Sequence, residues 1–391
     1  MHKIFSAILV NLPIDGLSMN GYYKYIINAR LHTEDEERKR GCLMINSEEI
    51  ARLAGVSRST VSRVINGYSN VPPETKAKVE QVIKEYGYIP NYSARNLAGK
   101  STNSIGLYFV EYGQLEENII HSSPFYSEFL ANTIDKLKKR DYQLVVSIID
   151  KEQDFQKVEA AFVNKTISGC ILMGDVVPAS VLSVLSRIGC PAFLVNQKSE
   201  GDFPGIFTVD TENYGGAYEA VQLLVNQGHR RIAHITGSLE KSSMRERFEG
   251  YCDCLLANGV GIKDSYVQKT HIHRAESGYL AVKAMMEANL EDEPSAIFAA
   301  NDLLAFGAMR GLREMGVGVP DRMSIVGYDN AEMSQYSSPP LTTVMVSAEK
   351  IAGLTIDSLL AVINKTEKVP RHLKVDEFEI IQRGSVAPPP G

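Results

Sequence analysis

The sequence predicts a small all-α head, made of a helix-turn-helix and a hinge helix, followed by a two-lobed, doubly wound α/β domain. Three observations predict it. Short amphipathic segments, each with its own cap, crowd the stretch from Asn46 to Gly87. Beyond Thr102, brief apolar runs alternate with longer amphipathic stretches, the pattern of parallel βαβ units, for long enough to build two lobes. Charge divides along the same line. The 391 residues sum to −6, yet Met44 to Lys100 carries eight Lys and Arg against five Glu, and residues 1–43 carry six basic against five acidic side chains. The rest of the chain is therefore acidic, and a small basic module on a large acidic body has the charge outline of a DNA-binding head on a sensor.

Composition removes several classes. With 44% hydrophobic and 23% charged residues, 391 residues suit two or three soluble domains rather than a disordered or membrane protein. No run of about 18 apolar residues is present to span a bilayer. Ile4 to Leu12, after Lys3, has the apolarity of a signal-peptide core, but Pro13 and Asp15 follow it and no small-x-small cleavage site appears. The cysteines, Cys42, Cys170, Cys190, Cys252 and Cys254, are odd in number and scattered, which suits a reducing compartment; the expected location is cytoplasmic. Cys252 and Cys254 lack a second cluster at zinc spacing, and neither a metal nor another cofactor is expected.

Residues 1–43 show no sustained period and end in the charged run Glu34 to Arg40. They read as an extension, either poorly ordered or the product of a start codon placed too far upstream. Asn46 then caps a first helix, with Glu49 placed for a variant capping box and Ile50, Ala51, Leu53 and Ala54 as its apolar face. Gly55 ends it. Ser57 caps a second helix, Arg58 to Asn66, in which Val61, Val64 and Ile65 point one way and Arg58, Ser59, Ser62 and Arg63 the other. Two short helices around a glycine turn make a helix-turn-helix. A third helix starts at Pro73, carries Val79, Val82 and Ile83, and stops at Gly87, so the head spans 44–90. In the segment 91–102, Pro90 disfavours helix just upstream and Asn91 can cap Tyr92 to Ala98. So short a helix does not hold alone, which makes it conditional on a partner.

The body, 103–386, has candidate strands Ser104–Phe109, Gln143–Ile148, Gly169–Met173, Ala192–Asn196, Arg231–Thr236, Ala296–Ala299 and Ser324–Tyr328. Helices between them include Tyr126–Lys139, Gly215–Gln227, Arg245–Asn258, Ala275–Ala288 and Leu303–Met315. Residues 387–391, rich in proline, read as a tail.

The stretch ARLAGVSRSTVSRVING at 51–67, followed by YIPN at 88–91 and ARNLAGK at 94–100, resembles the lactose-repressor and galactose-repressor family of transcription regulators. The resemblance continues through Ser104-Ile105-Gly106, GHRRIA at 228–233, RFEGY at 247–251, Ala300-Asn301-Asp302, VGYD at 326–329 and PLTTV at 340–344. It covers nearly everything from Met44 to Val386, and the ordered set is far more specific than any one motif. It implies a helix-turn-helix joined to a periplasmic-binding-protein-like sensor. It further implies a repressor of carbohydrate-utilisation genes that binds a palindromic double-stranded operator as a homodimer and answers a small effector, a sugar or sugar phosphate.

The family's base-reading positions fall on Arg58, Ser59 and Arg63; Arg reads guanine through two hydrogen bonds, and Ser adapts to several base edges. Hydroxyls of Ser57, Thr60, Ser62 and Thr75, with Asn66, are placed to hold phosphates and fix register. In the hinge, Asn91 is the cap, Ala94 and Ala98 allow two helices to approach, and Leu97 stands where the family wedges a leucine between base pairs of the minor groove. The plainer alternatives are a solvated polar face for 58–63 and packing on the sensor for Leu97.

Ligands of doubly wound sheets bind beyond the carboxyl ends of strands. The polar groups there are Asp175, Asn196, Asn301, Asp302 and Asp329, with Arg247 on the helix after Thr236. The resemblance places effector contacts on Arg247, Asn301 and Asp329, and first-lobe aromatics on Phe125 and Tyr126. Turn duty for Asp329, and a surface pair with Glu246 or Glu249 for Arg247, are the alternatives.

Two motifs mislead. Gly99-Lys100-Ser101-Thr102 imitates the end of a phosphate loop, but the first glycine would fall on Ala94 and no strand precedes it. His229, before Arg230 and Arg231, suits a helix C-terminus better than catalysis. No triad, carboxylate pair or zinc spacing stands out, so an enzyme is not expected. A soluble sugar-binding protein of transport, the alternative class, requires an export signal and no DNA head. Without leucine heptads at the C-terminus, a dimer is expected rather than a four-chain assembly.

Overall fold

The alternation of apolar runs and amphipathic stretches after residue 102 resolves, in a computed structural model of the chain, into two mostly parallel sheets. The structure describes residues 46–65, 68, 70–86, 88, 102–112, 120, 123–199, 201–270, 274–288 and 292–390. The chain divides into two compact units, residues 1–100 and 101–391. The extension 1–43, nearly all of the hinge 91–102, and with them Asn66, Asn91, Ala94 and Leu97, lie outside the described residues.

In the first unit, α1 (Ser47–Ala54), α2 (Arg58–Ile65) and α3 (Pro73–Tyr86) start and stop where the caps direct. Asn46 Oδ1 accepts from the amides of Glu48 and Glu49 at 2.9 and 3.0 Å. The Glu49 carboxylate turns to Arg52, 3.1 Å away. Gly55, at φ 66, closes α1, and Ser57 Oγ accepts from Thr60 N at 3.1 Å to open α2. Ile50, Ala51, Ala54, Val61, Val64 and Val79 close a small core.

In the second unit, β1 (Ser104–Val110), α4 (Pro124–Lys138), β2 (Gln143–Ile149), α5 (Phe155–Val163), β3 (Gly169–Gly174), α6 (Ala179–Arg187), β4 (Ala192–Val195) and β5 (Ile206–Thr211) build the first lobe. The chain then crosses to the second lobe with α7 (Asn213–Asn226), β6 (Ile232–Thr236), α8 (Ser242–Ala257), β7 (Val267–Lys269), α9 (Ala275–Glu287), β8 (Ala296–Ala299), α10 (Asp302–Glu314), β9 (Ser324–Asp329) and β10 (Thr342–Met345). It returns through α11 (Ala348–Asn364) to β11 (His372–Val375) in the first sheet and ends with β12 (Glu379–Ile381) in the second. The sheet orders are β11-β5-β4-β3-β1-β2 and β12-β10-β9-β8-β6-β7, and β12 alone runs antiparallel. Every residue of β1, β3 and β4 is buried, as strands covered on both faces require. Helices α9 and α10 cross closely: a Cβ at Gly307 would lie 1.7 Å from the Ala275 carbonyl oxygen.

The strands expected from sequence are present to within a residue at each end, but β5, β7, β10, β11 and β12 are not in that set. In β5 the apolar run is interrupted by Thr208 and Asp210, both buried; Thr208 Oγ1 lies 2.9 Å from His372 Nδ1, and Asp210 serves the site below. β7, β11 and β12 are edge or near-edge strands of three or four residues whose polar side chains hide the period. The C-terminal segment is anchored rather than loose: Ala387 N donates to Ser324 Oγ at 3.0 Å, and Ala387 O accepts from His229 Nε2 at 2.9 Å. His229 is thus a buried tie to that segment just past the end of α7, and burial lowers its pKa.

Candidate functional site

On the first unit, α2 divides as its period requires. Val61 and Val64 are buried, Ser57, Arg58, Ser59, Ser62 and Arg63 are exposed, and Thr60 and Thr75 are half-buried. Arg58 bends back toward α1, with Nε donating to Ser47 Oγ at 3.2 Å and Nη1 to Glu48 Oε1 at 3.3 Å. Ser57 Oγ lies 2.7 Å from Ser59 Oγ and 2.9 Å from Thr60 Oγ1, a hydroxyl cluster at the start of α2. One exposed face therefore carries two guanidinium groups beside several hydroxyls, the side chains that read base edges and hold phosphates.

In the second unit, ion pairs tie the strand ends of the first lobe to elements of the second. Lys241, which precedes α8, places Nζ 2.8 Å from Asp175 Oδ1, beyond β3. Lys198, beyond β4, pairs with Glu246 on α8. Arg274 Nη2 lies 3.5 Å from Glu111 Oε1, beyond β1. Burial alone would lower the Lys241 pKa, but Tyr126 and Asp175 outweigh it and hold it above its usual value.

Arg247 stands next to Glu246 on α8, beside these ion pairs. Buried on α8, its Nε donates to Asn213 Oδ1 at 3.0 Å and its Nη1 to Ala300 O at 2.5 Å. Nη1 also lies 3.3 Å from Asp329 Oδ1, and the guanidinium carbon sits 3.6 Å from the centre of the Tyr328 ring. Its carboxylate partner is therefore Asp329, not Glu246 or Glu249. Asp329 is the last residue of β9, at φ 102, rather than a turn residue, and its carboxylate faces Arg247. Burial raises Asp329 to about 6 against the pull of Arg247.

The other expected residues fall in different places. Tyr126, at the first turn of α4, packs 5.8 Å from Phe109 and 5.9 Å from Phe125 by ring centres. Burial raises its phenol pKa, and the charges of Lys241, Asp175, Asp329 and Arg247 reach it. Phe125 is buried in the core beside Phe129. Asn196, at φ 55, has a buried Oδ1 without a partner. Asn301 caps α10, its Oδ1 accepting from Leu304 N at 2.8 Å.

Asp302 departs from expectation. Its Oδ1 accepts from Thr343 Oγ1 at 2.6 Å, and its Oδ2 accepts from Ala331 N at 2.7 Å and Ser334 Oγ at 2.6 Å. At 1% exposure with both oxygens engaged, it joins α10 to β10 and to the segment after β9, leaving nothing for an effector. Burial raises it to about 7.

Asp210, Gln197 and Ser242 were not expected from sequence. Asp210 Oδ1 accepts from Thr211 N at 2.8 Å and Asn213 Nδ2 at 2.9 Å, while Oδ2 is buried and unpartnered. Burial, then the nearby Glu246, raises it to about 6. The strand-end rule would have selected Asp210 had β5 been recognised. Asn196 Oδ1, Gln197 Nε2, Ser199 Oγ, Asp210 Oδ2, Thr211 Oγ1, Thr236 Oγ1 and Ser242 Oγ are all buried polar atoms without a partner among the described residues. Each such atom costs about 1–3 kcal/mol if left unsatisfied, and a polar ligand at these strand ends would offer them partners.

Residues 48–91 match the model of bacterial regulatory proteins of the lacI family, and residues 221–386 match a periplasmic binding protein-like domain. Over 328 residues the chain is 31% identical to the HTH-type transcriptional regulator CelR of Thermobifida fusca, covering 83% of this chain and 93% of that one. It is 30% identical over 343 residues to the ribose operon repressor of Escherichia coli strain K12, covering 88% and 100%. The chain belongs to the lacI family. Like other members of that family it is a DNA-binding regulator of transcription. Among solved structures, this lacI-family chain is similar to the lac repressor dimer bound to operator and the anti-inducer ONPF, with a TM-score of 0.75 at 27% identity over 87% of this chain and 98% of that one. It is similar to the CelR–cellobiose complex with a TM-score of 0.66 at 29% identity over 87% and 99%. No helix among the described residues is long and apolar enough to cross a membrane.

Proposed function

We propose that the chain is a cytoplasmic, homodimeric repressor of carbohydrate-utilisation genes whose operator affinity is set by a sugar or sugar phosphate bound between the two lobes of the second unit. It acts by binding, not by catalysis. The observation that carries the effector site is the group of buried polar atoms without a partner among the described residues at the strand ends, with Asp210 within reach of the Arg247 charge. Relatives named for ribose and a structure containing cellobiose support the ligand class. Arg58, Ser59 and Arg63 read base edges; Ser57, Thr60, Ser62, Asn66 and Thr75 hold phosphates; Asn91, Ala94 and Leu97 serve the hinge. Tyr126, Asn196, Arg247, Asn301 and Asp329 contact the effector, with Phe125 backing Tyr126, and Asp210 joins them.

Two heads on a symmetric dimer read two half-sites one helical turn apart, so the operator is an inverted repeat. A ligand that bridges the lobes changes their relative angle, and coupling between the sites is reciprocal: DNA alters effector affinity by the factor by which effector alters DNA affinity. Selection of bound DNA from a random pool, at stated salt, tests the operator. An inverted repeat with a pyrimidine–purine step at its centre is expected. Failure of a folded, dimeric protein to enrich any motif contradicts it. The enriched DNA then serves as probe, and sugars that leave its affinity unchanged across a broad set contradict the effector class.

A further inference from the structure

We propose that the effector is an uncharged polyhydroxy compound, and that the cleft selects against anionic ligands such as sugar phosphates, uronates and nucleotides. The proposal rests on the sugar-class effector site proposed above and narrows it. The cations found near these strand ends among the described residues each face a carboxylate: Lys198 faces Glu246, Lys241 faces Asp175, Arg247 faces Asp329, Arg274 faces Glu111 and Lys374 faces Glu212. One carboxylate remains over. Asp210, 8% exposed, is in no ion pair among the described residues, although the charges of Lys198 and Arg247 reach it, and its Oδ2 has no partner there.

An anion entering here gives up its water among charges that sum to zero or less, and desolvating a charge without a counter-charge is the most costly burial there is. A hydroxyl suffers no such penalty. It donates to Asp210 Oδ2 or Asn196 Oδ1, both bare acceptors, and accepts from Gln197 Nε2, whose own Oε1 is held by Val177 N at 3.1 Å. Neighbouring hydroxyls on one ring provide both donors and acceptors.

The test uses the full chain in titration calorimetry at constant ionic strength. The probes are inorganic phosphate and three matched sets: ribose with ribose 5-phosphate, glucose with glucose 6-phosphate and glucuronate, and cellobiose with its phosphate ester. We expect no saturable heat from inorganic phosphate or any anionic member with the wild-type protein, and any neutral binder to exceed its anionic counterpart at least tenfold. Glu246→Gln unmasks Lys198, and Asp175→Asn, a second variant should the first misfold, unmasks Lys241; either should gain saturable phosphate binding. Wild-type protein that binds an anionic member as tightly as its neutral partner overturns the proposal, as do both variants folding without gaining phosphate. If phosphate behaves as expected while every neutral sugar is silent, exclusion of anions stands and the sugar-class site itself fails.

Discussion

Arg247 on α8 and Asp329 at the end of β9 lie with Nη1 and Oδ1 3.3 Å apart, beside the Tyr328 ring against which the guanidinium stacks. Arg247 also holds Asn213 Oδ1 and Ala300 O, so Arg247→Ala strands a carboxylate and two further acceptors together. Breaking a buried pair from one side costs about 3 kcal/mol or more, and the side chain of Asp329 keeps 22% of its exposure, which favours the lower figure. Urea unfolding of the variant should show that loss, and its operator binding should no longer respond to effector. Arg247→Lys keeps the charge but not the fork, and should recover only part. An unfolding midpoint unchanged by Arg247→Ala would contradict this account.

Asp302 makes stability depend on pH in a direction opposite to that of an ordinary carboxylate. Its folded pKa is about 7, against about 3.9 for an unfolded Asp. Folding raises the value, so the contribution is fully present below about pH 4 and is lost as pH rises toward 7. Asp302→Asn should be less stable throughout, because an amide cannot accept from Ala331 N, Ser334 Oγ and Thr343 Oγ1 together. The excess stability of wild type over the variant, from unfolding at a series of pH values, should shrink across that window. A constant difference would show that folding leaves the Asp302 pKa unchanged.

What could be read from the residues differed between head and body for a physical reason. Capping and turn signals are local, so Asn46, Gly55, Ser57 and Pro73 mark the helices of the head without knowledge of anything distant. The buried strands β1, β3, β8 and β9 announce themselves as apolar runs. β5 does not, because Thr208 and Asp210 interrupt its apolar run and are reconciled only by partners such as His372 and Asn213, far along the chain or across a turn. Asp302 shows the converse failure. It follows a strand and opens a helix, as ligand groups do, and only the returning residues Ser334 and Thr343 show that its oxygens are engaged.

The first sheet ends at β2, where Val145 and Val146 are 38% and 40% exposed, and Ile134 on the adjacent α4 is 46% exposed. An apolar edge strand of this kind invites pairing with another chain unless it is covered. In a homodimer this edge is the natural place for the partner. Val146→Asp should shift sedimentation toward monomer and weaken operator binding at least tenfold by removing the second head. The unfolding free energy, normalised for association, should move by no more than about 0.5 kcal/mol, as for an exposed position. Dimerisation at unchanged affinity would place the interface elsewhere.

Arg58 is held away from solvent-facing extension by Ser47 Oγ and Glu48 Oε1. Both members of the ion pair are about two-thirds exposed, at 66% and 69%, and such pairs are worth only about 0.2–1 kcal/mol, so a guanine edge can displace Glu48 at little cost. Two variants should then diverge. Arg58→Ala should lose about 1–3 kcal/mol against the selected operator, relax discrimination at one base pair per half-site, and leave binding to random DNA much less affected. Glu48→Gln should tighten binding to operator and random DNA alike, because it frees Arg58 and removes a negative charge from a face presented to phosphates. If Arg58 holds a phosphate instead, Arg58→Ala weakens every sequence equally and makes the slope of log affinity against log salt shallower by about 1 for each phosphate released. Measuring both variants on both DNAs across a salt series therefore separates base reading from backbone binding at this one side chain.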